Sequence, residues 1–160
     1  MSNQAHHDPI AAGVEQWTEA VRGCAAKVGP AMGLPPCQVI ATLKAPPSGL
    51  SGVAVTLEGV KPHVLIGVLS NDVGRTAIAR AIFQMEDSEK PKPEDETDSL
   101  GELANCISGQ VKAAMSALDT TMRIGLPSAV SAEAFSSRNH QITLRVAFGS
   151  VPAALVVSLL

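Results

Sequence analysis

The chain has 160 residues, 46% of them apolar, and carries a formal net charge of -3 with a sequence pI near 5.8. A chain of this length holds one domain with a core of ordinary size, and it lacks the excess of Lys and Arg that neutralises phosphates along a nucleic acid. Aromatic residues make up only 2%, which also removes the platforms on which single-stranded bases stack.

The opening residues MSNQAHHDP show no basic stretch followed by an apolar run, and nowhere do about 18 uncharged apolar residues follow one another. A soluble, unprocessed protein is expected. Residues 9–28 place Ile10, Val14, Trp17, Val21, Cys24 and Val28 on one stripe of a helix, with Pro9 in its first turn and Gly29-Pro30 as its stop. After GPAMGLPP, residues 37–43 read as a short strand. Residues 52–60 and 63–70 alternate around a turn at 59–62 and predict a β-hairpin. Ser70, Asn71 and Asp72 offer caps for a helix through about Met85, with Val73, Ala77, Ile78, Ala81 and Ile82 as its apolar face.

Residues 86–98 hold seven acidic residues, two lysines and prolines at 91 and 93. They read as a solvated, mobile connector. A second long helix is predicted over 98–118, where Leu100, Leu103, Ala104, Ile107, Val111, Ala114, Met115 and Leu118 keep the 3.6-residue period. Short segments follow at 122–127 and 129–134, and then a terminal pair at 141–148 and 151–159 turns at Gly149-Ser150. Pro152 cannot donate to a ladder, so its strand should begin there or lie on an open edge. Hairpins plus three helices predict an α+β two-layer sandwich, mainly antiparallel, with the long helices on one face. The whole of 1–160 reads as a single domain.

Cys24, Cys37 and Cys106 stand apart without a CxxC pair and suggest a reducing cytoplasm. None has a basic neighbour in sequence that would favour a reactive thiolate. His6, His7, His63 and His140 show no metal-ligand spacing. The glycine fingerprints, nucleophile elbow and zinc motifs of self-contained enzymes are also missing.

What remains is TDSLGELANCISGQVKAAM, residues 97–115. Steps of three and four residues put Asp98, Glu102, Asn105 and Gly109 on one helix face, opposite the leucine stripe. Asp98 could serve only as an N-cap, and Glu102 could be an ordinary first-turn acid. Asn105 is harder to explain structurally, because Asn lowers helix stability at an exposed mid-helix position. Gly109 would let another backbone approach.

The pattern Asp98-x3-Glu102-x2-Asn105, followed by 21 residues and Pro127, resembles the signature of the CheC/CheX/FliY response-regulator phosphatases. The spacing to Pro127 is about one residue shorter than in that signature, and the similarity covers roughly the last two-thirds of the chain. The first helix has no second Glu-x2-Asn, since Glu15 is followed by Thr18 and Glu19 by Arg22. One motif per chain points to the CheX type.

This resemblance implies a phosphatase acting on the aspartyl phosphate of a CheY-type response regulator. In it Asn105 would position water, Glu102 would pair with the regulator's lysine and Asp98 would lie at the rim of the contact. The chain would need no cofactor of its own, the regulator supplying Mg²⁺. Two other readings stay open: a non-catalytic CheX-like module that binds a receiver or other signalling protein, and a structural homodimer unit. The resemblance also implies a homodimer. Leu155, Val156, Val157, Leu159 and Leu160 would then crowd an edge strand that a second copy covers.

Overall fold

The computed structural model describes residues 9–59 and 63–160, with side chains described from Gly13 onward. Most of the hairpin turn expected at 59–62 and the tail histidines lie outside the described residues. The elements run α1 (Pro9–Ala31), β1 (Cys37–Leu43), β2 (Ser51–Glu58), β3 (Val64–Ser70), α2 (Asp72–Ile82), α3 (Pro93–Ala114), β4 (Arg123–Ile124), β5 (Ser128–Ser131), a 3-10 turn (Ala132–Phe135), β6 (Gln141–Phe148) and β7 (Val151–Leu159). The fold is mixed α+β. Its antiparallel sheet has the order β1-β6-β7-β3-β2-β4, and β5 also pairs with β2.

Period-two alternation in the strands explains the core. Val53, Val55, Leu57, Val64, Ile66, Val68, Leu144, Val146, Phe148, Leu155 and Val157 join one cluster with the apolar stripes of all three helices. The opposite face is not bare: Leu69 and Val156 pack with Ala132 and Phe135 from the 3-10 turn.

The terminal strand does not lie on an edge. Because β7 pairs with β6 on one side and β3 on the other, Leu155, Val156 and Val157 are fully buried. The two long neighbours satisfy its ladder, which explains why so apolar a strand carries no liability. Pro152 sits at its second residue, opposite Ala147. The sheet ends instead in β1 on one side and in the short strands β4 and β5 beyond β2 on the other.

α1 buries Val14, Trp17, Val21, Cys24 and Val28 as expected, yet it runs past Pro30. A proline in the last turn forgoes one hydrogen bond, and the helix stops only at Gly33, whose φ is 85°. There Leu34 N–H donates to Gly29 O and Gly33 N–H to Pro30 O, the paired closure that a left-handed residue permits.

α2 ends at Ile82, earlier than expected. The Asn71 side chain accepts the Gly74 N–H at 2.8 Å as the N-cap. Val73 points out of the core, 78% exposed, so the apolar face begins with Gly74 and Ile78.

The acidic segment is the largest departure from expectation. α3 begins at Pro93, five residues before Asp98, which is therefore inside the helix rather than its cap. Three causes act together. Pro93 fits the first helical turn, Asp95 accepts the Lys92 N–H at 3.0 Å, and Glu94, Asp95 and Glu96 sit where the helix dipole favours negative charge. The segment is also tied to α2: the Thr76 hydroxyl donates to Glu96 at 2.6 Å, and Arg80 Nε donates to Glu89 O at 2.8 Å.

Candidate functional site

α3 is fixed by one face and free on the other. Leu100, Leu103, Ala104, Ile107 and Val111 are all buried to 1% exposure or less. That packing sets the rotation of the helix, and it turns Asp98, Glu102 and Asn105 toward a surface groove. The groove holds about 620 Å³. Its other walls are Met32 after α1, Ile82 and Phe83 at the end of α2, Val53 of β2, and Pro127, Ser128 and Ala129 leading into β5.

Asp98 and Glu102 are exposed, while Asn105 is half-buried. None of the three side chains makes a hydrogen bond or salt bridge with another described residue. An amide with two donor hydrogens and an acceptor oxygen is thus held in the wall of a groove with its capacity uncommitted. Two carboxylates face the same groove and no Lys or Arg lines it. The site is acidic.

Pro127 reaches the groove through the sheet edge. β4 and β5 both pair with β2, and between them Gly125 N–H donates to Thr56 O at 2.8 Å. This pinned connection lays Pro127 beside Gly101, where a methyl group on Gly101 would meet the ring at 3.7 Å. Gly109 is placed differently. It does not line the groove, and Ile124 of β4 lies 3.9 Å from where its side chain would begin. This chain's own sheet edge occupies the close approach that the glycine allows.

Sequence reasoning missed Met32, Phe83, Gly101, Ser128 and Ala129. Gly101 had a signal: a glycine one residue before Glu102 on the inner side of the motif helix marks a close neighbour. Met32 and Phe83 had none, because each follows the end of a helix whose place relative to α3 is a tertiary fact.

Cys106 is exposed beside Asn105, and its thiol is pushed up first by desolvation and then by the Glu102 carboxylate. Burial alone raises Cys37, to about 11. Among the described residues, no group of three or more His, Cys, Asp or Glu is arranged to hold a metal ion. Among them too, no helix is long and apolar enough to cross a membrane.

The sequence matches the family model described as chemotaxis phosphatase CheX over residues 51–148, a stretch that contains the motif face of α3 and Pro127. No curated protein matches the chain. The fold is similar to the chemotaxis protein CheX from Desulfovibrio desulfuricans, with a TM-score of 0.71 and 18% identity over 91% of this chain and 99% of that one. It is also similar to CheX from Vibrio vulnificus, with a TM-score of 0.72 and 13% identity over 91% and 99%. A third similar structure, from Borrelia burgdorferi, is a CheX-CheY-BeF3-Mg²⁺ complex, with a TM-score of 0.62 and 14% identity over 91% and 96%.

Proposed function

This chain belongs to the CheX family, and from that premise we propose that it hydrolyses the aspartyl phosphate of a CheY-type response regulator. The observation that supports this most is Asn105: a half-buried amide in mid-helix, costly to the helix, uncommitted among the described residues and lining the groove of about 620 Å³. The Borrelia relative, whose structure contains CheY, BeF3 and Mg²⁺, lends the partner class.

In this reading the regulator brings the acyl phosphate, a lysine beside it and Mg²⁺, which offsets charge on the phosphoryl oxygens. Asn105 enters the regulator's pocket, accepts one proton of a water in hydrogen bonding and holds the oxygen in line with phosphorus. The water oxygen bonds to phosphorus as the bond to the aspartyl oxygen breaks. Inorganic phosphate and the regulator's free carboxylate result, and the displaced proton leaves to solvent. Glu102, one turn earlier, pairs with the lysine and fixes register, while Asp98 adds negative charge at the rim. A neutral amide suits this task because a carboxylate at the same point would be repelled by the phosphoryl group. Positioning and charge stabilisation supply most of the catalysis in phosphoryl transfer, so a protein without a nucleophile of its own can perform it.

Mixing the purified protein with a panel of phosphorylated receivers tests the reading. Faster phosphate release with at least one receiver is expected; tight binding without release would make the chain a receiver-binding module instead.

A homodimer belongs to the same reading. Since β7 is interior, this reading assigns pairing to the longer of the two sheet edges, β1, where Ile40 is more than half exposed. Sedimentation showing only monomer at tens of micromolar, roughly where specific dimers persist, would count against it.

A further inference from the structure

We infer that Leu126 is an apolar docking anchor for the response regulator, seated beside the Glu102–Asn105 face and separate from the chemistry. The inference rests on the proposed function and adds to it the residue that holds the partner.

Leu126 is 91% exposed, the most exposed large apolar side chain among the described residues. A lone exposed leucine is ordinary, but this one is neither lone nor loosely held. Gly125 before it is hydrogen-bonded to Thr56, and Pro127 after it has a fixed φ and packs by Gly101. The side chain is therefore presented to solvent by a backbone clamped on both sides, so little further freedom is lost when it is buried against a partner.

Its level along α3 follows from its neighbours. Ile124 lies against Gly109 and Pro127 against Gly101. These glycines are about 12 Å apart along the helix axis, and Glu102 and Asn105 lie between them. Leu126, between Ile124 and Pro127 in the chain, consequently falls at the level of the acid and amide, next to Pro127 in the groove wall. Phe83, 40% exposed, lines the same groove as Glu102 and Asn105, and Ile124, 38% exposed, stands two residues before Leu126.

Charge selects the occupant. The groove beside Leu126 is lined by two carboxylates and no cation, so a second copy of this chain would bring like charge to the same place. A receiver that offers a lysine to Glu102 and an apolar patch next to it is complementary on both counts.

Leu126→Ser and Leu126→Met, with the cognate receiver, test the inference. The serine variant should raise KM for the phosphorylated receiver roughly tenfold to a hundredfold, the range for losing one buried leucine contact, with the loss falling on KM rather than kcat. The methionine variant should recover most of it. Melting temperature should not move, because the side chain touches little in the free protein. Direct titration with the BeF3-activated receiver should show the same loss of affinity, so the inference is readable even if the chain binds without hydrolysing. An unchanged KM and unchanged affinity overturn it. So does a serine variant whose only change is in the monomer–dimer balance, which would make a second copy the occupant.

Discussion

Replacing Asn105 by Ala separates the two costs that this residue carries. In the fold, the amide makes no hydrogen bond within the described chain, so its removal leaves no partner unsatisfied and frees no cavity. Alanine is the better helix former by about 0.5 kcal/mol, which should raise the melting temperature by about 1–2 °C for a chain of this size. The reaction should respond in the opposite sense. Without the group that orients water, the turnover of phosphorylated receiver should fall about a hundredfold, or about 2.7 kcal/mol in the barrier. Affinity for the receiver should change much less, since a contact made mainly in the transition state lowers kcat and kcat/KM together. The assay is phosphate release from a phosphorylated receiver under single-turnover conditions, with a thermal melt on the same preparation. A variant that melts slightly higher but hydrolyses at the parent rate would refute the role assigned to Asn105. One that melts much lower would show that the amide has a structural partner in solution.

Three further outcomes follow from particular contacts. Glu102 raises the Cys106 thiol, so Glu102→Gln should lower the midpoint of the pH–rate curve for Cys106 alkylation and speed labelling near pH 8, while Cys37, pushed up to about 11, should label slowly in both proteins. A side chain added at Gly52 would start 1.8 Å from the Val68 carbonyl oxygen and 2.9 Å from the Leu69 Cα; neither backbone atom can yield cheaply, so Gly52→Ala should cost about 2 kcal/mol or more and lower the melting temperature by at least about 4 °C. The Glu133 carboxylate accepts the Gly49 N–H at 3.0 Å, and this bond holds it below its ordinary value. A depressed acid stabilises the fold above its unfolded pKa and ceases to do so as pH falls through the folded one. The Gly49 amide shift should therefore titrate below the usual glutamate range, and a midpoint at or above that range would contradict the contact.

Much of the working helix was legible because two periodicities coincide in it. Leu100, Leu103, Ile107 and Val111 mark the buried stripe, and Asp98, Glu102 and Asn105 fall opposite by the same count. The start of that helix was not legible, because residues 86–97 look like a connector in composition alone. Local chemistry decided otherwise: Pro93 in the first turn, Asp95 on the Lys92 amide and Glu96 on Thr76. The last of these joins residues 20 apart and has no sequence signature. The place of β7 was illegible for a related reason. An apolar terminal strand fits a bare edge covered by a second copy or a sheet interior equally well, and only the pairing with β3 chooses between them. Pro127 was visible as part of a motif, but its contact with Gly101 depends on the short strands β4 and β5 following one another along the same edge of β2. Leu126 carried no signal at all, since exposure cannot be read from an apolar letter in a turn.

The groove can hold unfavourable residues because the opposite face of α3 is so strongly held. Burying Leu100, Leu103, Ile107 and Val111 contributes on the order of 6–12 kcal/mol before chain entropy is counted. Against this, an Asn in mid-helix costs about 0.5 kcal/mol and uncommitted carboxylates in water cost almost nothing. The rotation and height of the helix are thus decided by the core, and mutations on the groove side change what is presented without changing where. That separation suits a protein whose proposed chemistry consists of placing one amide. The precision comes from the buried stripe and from β2 beneath it, while the reactive phosphate and its Mg²⁺ arrive with the partner. It follows that core changes under α3, such as Ile107→Ala, should damage hydrolysis by displacing Asn105 even where the protein stays folded, whereas groove changes should damage it at constant stability.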